Sequence, residues 1–149
     1  MHGTVRALFV KPEKGGTPVS LVSVDATPTG FGGDHHSRRM TRRQILLISR
    51  SVLNELNLEP GLIDENVVVD GLDVMSLTEG QQLRLGDARV AVTVPCEPCV
   101  RMDDVRYGLK DALKDRRGMF VTVVAPGAVR VGDVVELICQ ESLAEHSPG

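Results

Sequence analysis

Short apolar segments rich in valine, leucine and isoleucine alternate along the chain with glycine and proline. Brief apolar runs between turn-forming residues are typical of a barrel or sandwich of short β-strands. The continuous run Ile45–Ile48 favours a buried strand over an amphipathic helix. Eight strands are predicted, at Gly3–Val10, Val19–Val24, Gln44–Ile48, Asn66–Val69, Gln82–Leu85, Arg89–Val94, Phe120–Val124 and Val134–Ile138. The sequence therefore predicts a mainly β fold that is barrel-like.

Two stretches of this pattern are alike. Gln82–Leu85 is followed by Gly86-Asp87, and Ala128–Val131 is followed by Gly132-Asp133. Glycine adopts the positive φ that tight hairpins require, and aspartate can hydrogen-bond its own backbone in a turn. Each copy therefore predicts a strand, a Gly-Asp turn and a second strand.

Two or more short helices are expected among the strands. One begins with Ser49 as its N-cap and runs to about Asn57, and another spans Val105–Arg116 with acidic residues at its positive N-terminal end. The residues expected to face the core are Val52, Leu53 and Leu56 in the first helix and Val105, Leu109, Ala112 and Leu113 in the second.

Length, charge and cysteine content exclude several classes of protein. The chain of 149 residues fits one domain, predicted over residues 1–141, with a disordered polar tail at 142–149. A net charge of −3 and a pI near 5.8 argue against a nucleic-acid partner, which requires a basic face. No apolar run approaches the roughly 20 residues of a membrane-spanning helix, so no membrane partner is expected. Three cysteines do not suit a secreted disulfide framework, and the expected compartment is the cytoplasm.

The segment Pro95-Cys96-Glu97-Pro98-Cys99 carries the most distinctive chemistry. Thiolates are nucleophiles and ligands for soft metals. The pair is open to four interpretations: half of a zinc site, a redox dithiol, one functional thiolate, or two structural cysteines in a proline-shaped loop. A zinc site needs two further ligands, and the candidates are His2, His35, His36, Cys139 and His146.

A glycine-rich loop and an arginine cluster form a second candidate site. Gly30–His36 ends in an aspartate and two histidines. The cluster that follows consists of Arg38, Arg39, Arg42 and Arg43. Glycine lets backbone N–H groups approach an anion, and arginine binds oxyanions through two parallel hydrogen bonds. An anion site and a solvated surface loop are both compatible with this pattern.

Glu65 and Asn66 lie at the entrance to an apolar strand. The asparagine amide offers a donor and an acceptor, which would suit the edge of a heterocycle. It would equally cap a turn, and the local sequence favours that second interpretation.

Taken in order, these elements resemble the MOSC domain, the family named after the C-terminal domain of molybdenum cofactor sulfurase. The matching stretches are Gly33-Asp34-His35, Arg43-Gln44-Ile45 with Leu46-Leu47, Glu65-Asn66-Val67 with Gly71-Leu72-Asp73, Leu77-Thr78-Glu79-Gly80, Leu85-Gly86-Asp87, Pro95-Cys96-Glu97-Pro98-Cys99, Arg117-Gly118 and Val131-Gly132-Asp133-Val134. The resemblance extends from about Val5 to Leu137. It implies a MOSC-type, barrel-like single domain with a pocket for the pterin and phosphate of the molybdenum cofactor.

The resemblance also implies roles for individual residues. Cys99 is expected to be the catalytic residue, either as a molybdenum ligand or as the carrier of a persulfide, with Cys96 as its auxiliary neighbour. Arg43 and the Gly33 loop are expected to hold the cofactor phosphate, and Asn66 the pterin edge. The full set of expected cofactor-binding residues is Gly33, Asp34, His35, Arg43, Glu65, Asn66 and Arg101.

The function implied is that of a protein that binds the molybdenum cofactor (molybdopterin), with no pyridoxal phosphate. Such a protein would carry sulfur as a cysteine persulfide or reduce N-hydroxylated compounds, so the resemblance leaves open whether it is an enzyme. Its expected partners are electron-donor proteins or sulfur-donor and sulfur-acceptor proteins. The alternative is a small zinc-binding or interaction module in which Cys96 and Cys99 are structural.

Overall fold

The computed structural model describes residues 2–35, 37 and 41–138. Its strands are β1 (His2–Val10), β2 (Val19–Leu21), β3 (Ser23–Thr27), β4 (Gly30–Phe31), β5 (Ile45–Ser49), β6 (Val67–Asp70), β7 (Gln82–Leu85), β8 (Ala88–Pro95), β9 (Met119–Ala125), β10 (Gly127–Arg130) and β11 (Val134–Leu137). Its helices are α1 (Arg50–Glu55), α2 (Met102–Val105), α3 (Leu109–Ala112) and a single 3-10 turn (Val74–Ser76). Predictions for His36, Arg38, Arg39, Cys139, His146 and the tail at 142–149 lie outside the described residues.

Seven strands form a closed barrel in the order β11-β7-β8-β9-β5-β6-β1, and pairing of β1 with β11 closes it. Strand β2 extends the sheet beyond β1. Strands β5 and β6 are parallel, and the other described pairs are antiparallel. A small second sheet has the order β10-β3-β4. The prediction of a mainly β, barrel-like fold is confirmed.

Two hydrophobic cores lie on opposite sides of the barrel wall. Ile45 and Leu47 of β5 point into the barrel, whereas Ile48 packs outside it against Leu53 of α1 and Leu113 near α3. Because the helices cover this part of the wall, β5 is buried on both faces and all five of its residues are buried. Burial on both faces explains why its sequence is continuously apolar instead of alternating.

The predicted strands are found, with one correction. The predicted strand Val19–Val24 is divided into β2 and β3 at Val22, whose side chain is 82% exposed. The Gly86-Asp87 turn joins the β7–β8 hairpin as predicted. The second copy is also a strand, a turn and a strand, with β10 and β11 on either side of Gly132-Asp133. These two strands do not pair as a hairpin, because β10 pairs with β3 while β11 pairs with β7 and β1. The chain turns there, but its two strands enter different sheets.

The prediction of one helix over Val105–Arg116 is also wrong. The segment forms two single helical turns, α2 and α3, separated by Gly108 with φ +81. Leu109 and Leu113 are buried as predicted, but Val105 is 39% exposed because α2 ends there. The predicted helix after Ser49 is present as α1 and buries Val52 and Leu53. No helix in the described part of the chain combines the length and apolarity needed to cross a membrane.

Candidate functional site

The loop that carries both thiols is held at its two ends. The Cys96 N–H donates to the carbonyl of Gly118 (2.9 Å), the residue before β9. The Cys99 carbonyl accepts from the N–H of Met102 (2.9 Å), the first residue of α2. Both thiols are free. The loop therefore spans a fixed gap between the end of β8 and the helical layer.

The two thiols occupy different environments. Cys99 is exposed, whereas Cys96 is half-buried. Burial raises the pKa of the Cys96 thiol, the positive charges of Arg117 and Arg43 oppose that shift, and Cys99 adds to it. A cavity of about 320 Å³ is lined by Met75, Pro95, Cys96, Glu97, Asp115 and Met119. Of the two thiols, Cys96 is therefore the one that lines this half-open cavity.

Arg117 is a buried cation behind this loop, with 5% of its surface exposed. Its Nη2 donates to the carbonyl of Ile63, but its Nη1 has no hydrogen-bond partner among the described residues. Glu65 is 2% exposed and accepts from the N–H groups of Gly61 (2.8 Å) and Ile63 (3.3 Å). Burial raises the pKa of the Glu65 carboxyl, and these hydrogen bonds and Arg117 oppose the shift. Arg117 thus has one buried donor without a partner among the described residues, and its charge acts on Cys96.

Asp34, His35 and Arg101, all predicted at the site, are linked through two residues that were not predicted. The N–H of Lys11 donates to Asp34 Oδ1 (2.8 Å), and the His35 N–H donates to the carbonyl of Lys11 (2.8 Å). The Lys11 ammonium donates to Asp64, whose other oxygen pairs with Arg101 Nη2 at 3.3 Å. This cluster, the Lys11 cluster, joins the end of β1 to the thiol loop.

The space within the Lys11 cluster is small. Next to Lys11, Asp34, His35 and Asp64 lies a cavity of about 10 Å³. That volume is enough for about one water molecule. The charged groups of this cluster therefore contact one another rather than an open pocket.

Both polar groups of the Asn66 side-chain amide form hydrogen bonds with the backbone. Its Oδ1 accepts from the N–H of Leu46 (2.9 Å), and its Nδ2 donates to the carbonyl of Phe9 (3.1 Å). The residue is 2% exposed. Its side chain therefore joins the starts of β5 and β6 to the end of β1. The predicted contact with a pterin edge stays a prediction.

The remaining predicted residues separate into two places. Arg43 is exposed, its N–H donates to Thr41 Oγ1 (3.1 Å), and its charge acts on Cys96. Gly33 has φ +84, and a Cβ added to it would meet none of the described atoms beyond its chain neighbours within 4 Å. It precedes Asp34 of the Lys11 cluster. Arg43 is thus linked to the thiol loop through its charge, whereas Gly33 lies beside the Lys11 cluster.

The described residues contain no group of three or more His, Cys, Asp or Glu side chains that could hold a metal ion. Within this part of the chain, no third ligand of these types therefore completes a zinc site with the two thiols of the loop. The other candidate ligands include Cys139 and His146, which lie outside the described residues.

Sequence reasoning assigned no role to Arg117, Lys11 or Asp64. Arg117 lies within the Arg117-Gly118 stretch that supports the resemblance, but its burial is seen only in the structure. Lys11 and Asp64 are separated by 53 positions, so no local pattern joins them. Long-range ion pairs of this kind become visible only when the fold is known.

Comparison with known proteins places this geometry in a family. A family model described as MOSC domain matches residues 32–136. No curated protein matches. Among solved structures, the YUAD protein from Bacillus subtilis is 22% identical with a TM-score of 0.78, and the match covers 92% of this chain and 96% of that one.

Two further structures share the fold. YiiM from Escherichia coli is 23% identical with a TM-score of 0.70, covering 93% of this chain and 70% of that one. YiiM from Geobacillus stearothermophilus is 17% identical with a TM-score of 0.72, covering 93% and 76%. At this level of identity the likeness establishes the fold, and the chemistry has to be argued from the residues of this chain.

Proposed function

The chain belongs to the MOSC domain family, and from this premise we propose that it binds the molybdenum cofactor and carries sulfur on a cysteine persulfide in the Cys96–Cys99 loop. One observation carries the proposal. An exposed free thiol stands beside a second thiol that lines a cavity of about 320 Å³, with two guanidinium groups acting on it. A persulfide needs a reachable thiolate, and the two guanidinium groups oppose the burial that holds the pKa of the Cys96 thiol above its usual value.

The residues around the loop suit this cofactor in donor type and charge. Thiolate is a fitting ligand or sulfur source for molybdenum. The unpaired Nη1 of Arg117 is a buried donor that lacks an acceptor among the described residues, which is uncommon in folded proteins. Together with Arg43 it would attract the cofactor phosphate or another anionic group. When bound, the cofactor would supply the redox chemistry of molybdenum, while Cys96, Cys99 and the two arginines bind and orient it.

A second candidate function is a molybdenum-dependent reductase of N-hydroxylated compounds. The cavity beside Cys96 favours it, because a volume of about 320 Å³ lies within the range of small-molecule sites. In that case a thiol would ligate the metal, and a separate protein would supply electrons. Both candidates require a compartment that keeps thiols reduced, which favours the cytoplasm.

The test is a metal and sulfur assay on protein freshly purified from a host that makes the cofactor. Sulfur carriage predicts cyanide-labile sulfur that is lost in the double variant Cys96→Ser/Cys99→Ser and retained in Cys139→Ser. A reductase predicts stoichiometric molybdenum that is lost in Cys99→Ala. Protein that contains neither molybdenum nor labile sulfur would contradict both candidates, and bound zinc whose chelation unfolds the protein would support the zinc-binding alternative.

A further inference from the structure

The two thiols differ in their accessibility to other molecules. Cys99 is exposed and is followed by Val100, whose side chain is 70% exposed, so a large donor molecule can approach it. Cys96 is half-buried, and its backbone is bound to Gly118 in the turn before β9. Its side chain lines the cavity with Met75 and Met119. Cys99 is thus exposed to solvent, whereas Cys96, three positions earlier, lines a half-open cavity.

Charges of both signs act on Cys96. Arg117 and Arg43 favour a sulfur anion there, whereas burial, Cys99 and Glu97 oppose it and the pKa of the thiol is raised. Arg117 is buried, and its Nη1 is the buried side-chain donor without a partner among the described residues. A persulfide adds one sulfur atom beyond the thiol and carries its negative charge there, so the positive charge of Arg117 favours it. Glu65, the carboxyl that also faces Arg117, already accepts two backbone N–H groups.

We propose that Cys99 and Cys96 form a sulfur relay, in which exposed Cys99 takes sulfane sulfur from a persulfide donor and passes it to Cys96 at the cavity. The relay rests on the proposed function as a sulfur carrier. It adds a direction of sulfur transfer and separate roles for the two thiols, because Cys99 is the loading residue and Cys96 is the delivering residue.

The transfer step conserves atoms and electrons. Cys96 loses its proton to solvent, and the thiolate attacks the outer sulfur of the Cys99 persulfide. The sulfur–sulfur bond on Cys99 breaks, and Cys99 leaves as a thiolate that takes up a proton. Cys96 then carries the persulfide. Neither an oxidant nor a reductant is consumed, because one sulfur–sulfur bond replaces another.

The experiment loads Cys139→Ser protein with persulfidated serum albumin as a bulky donor and with inorganic polysulfide as a small one. Rapid alkylation and mass spectrometry of the tryptic peptide 90–101 then locate the added sulfur, because fragmentation before Pro98 separates the two cysteines. The relay predicts that sulfur from albumin accumulates on Cys96. It also predicts that Cys99→Ser slows uptake from albumin at least about tenfold, since the half-buried thiol is poorly accessible.

The matched variant Cys96→Ser should take up sulfur from albumin and retain it on Cys99, and Cys96→Ala should give the same result. Three results would overturn the relay alone: sulfur that stays on Cys99 in the parent, undiminished loading of Cys99→Ser from albumin, or a Cys96–Cys99 disulfide formed with release of hydrosulfide. Failure of the parent to take sulfur even from polysulfide would overturn the proposed carrier function and the relay together.

Discussion

Glu65 and Arg117 are both buried and carry opposite charges, and the charge of Arg117 acts on Glu65. Glu65 is 2% exposed and Arg117 is 5% exposed. Burial holds the pKa of the Glu65 carboxyl above its usual 4.5, although Arg117 and the N–H groups of Gly61 and Ile63 oppose the shift. Loss of hydration therefore outweighs the favourable contacts of the ionised form at this position.

This imbalance predicts a pH-dependent stability. The folded protein holds the Glu65 proton more tightly than the unfolded chain does. The stabilisation from this group is therefore complete below the ordinary carboxyl pKa and is lost as pH rises through the raised value. The free energy of unfolding of the parent minus that of Glu65→Gln should fall as pH is raised from about 4 toward neutral, because glutamine does not titrate. Urea unfolding at several pH values measures this difference.

Glu59→Gln is the matched control, because Glu59 is exposed and lies in the same connection between α1 and β6. Its difference from the parent should change little with pH. A Glu65→Gln difference that stays constant or grows with pH would contradict the raised pKa.

At the scale of single residues, the sequence predicts positions better than it predicts contacts. Asn66 was expected at the start of a strand, and it lies there, yet its amide bonds the backbone of Leu46 and Phe9, which are 20 and 57 positions away. The identity of the residue predicts a hydrogen-bond donor and a hydrogen-bond acceptor. The partners of these two groups depend on which strands lie next to Asn66, and the tertiary structure determines that.

Among the elements, the turn from Arg117 into β9 determines where Cys96 stands. Gly118 has φ +126, and its carbonyl accepts the Cys96 N–H. A Cβ on Gly118 would lie 2.5 Å from the carbonyl oxygen of Leu47 in β5. Only glycine allows this turn to pass so close to the neighbouring strand.

Gly118→Ala should therefore destabilise the protein by about 3 kcal/mol or more, since it adds both backbone strain and a clash with backbone. Chemical denaturation measures the loss. Gly108→Ala is the control: its φ of +81 is also left-handed, but none of the described atoms beyond its chain neighbours lies within 4 Å of the added Cβ. Strain alone should cost it about 1–2 kcal/mol. Equal losses in the two variants would show that the close approach to Leu47 is unimportant.

The segment Val105–Arg116 shows where element prediction fails. Its apolar spacing and acidic start fit one helix, but Gly108 adopts a left-handed conformation and divides the segment. The flanking Tyr107 is 97% exposed, so packing does not hold the interrupted turn in helical form. By contrast, the β5 strand was predictable, because four adjacent apolar residues fit a strand that is buried on both faces.

For the whole molecule, closure of the barrel depends on a short seam. Strand β1 meets β11 through three residue pairs: His2 with Glu136, Gly3 with Val135, and Thr4 with Val134. These partners come from opposite ends of the described chain, so the strands were predictable from local pattern while their pairing was not. The same limitation concealed the Lys11–Asp64 pair, which also joins segments that are distant in sequence.

Gly3 lies at this seam, where β1 pairs with β11 on one side and with β6 on the other. A Cβ on Gly3 would lie 2.4 Å from the carbonyl oxygen of Asp70. Gly3→Ala should push β1 away from β6 and loosen its pairing with β11. We expect a loss of about 1–3 kcal/mol in unfolding free energy, the usual cost of overpacking.

Hydrogen exchange locates the effect of Gly3→Ala within the barrel. Amides of β11 and of the first half of β1 should exchange faster, while amides of the long β8–β9 pair remain protected, because local opening releases the least supported strands first. Gly32→Ala is the control, since the nearest described atom to its added Cβ is 3.7 Å away and no strained backbone is involved. Uniform acceleration across β8, β9 and β11 would mean that the barrel opens as one cooperative unit, and the seam would not be its weakest point.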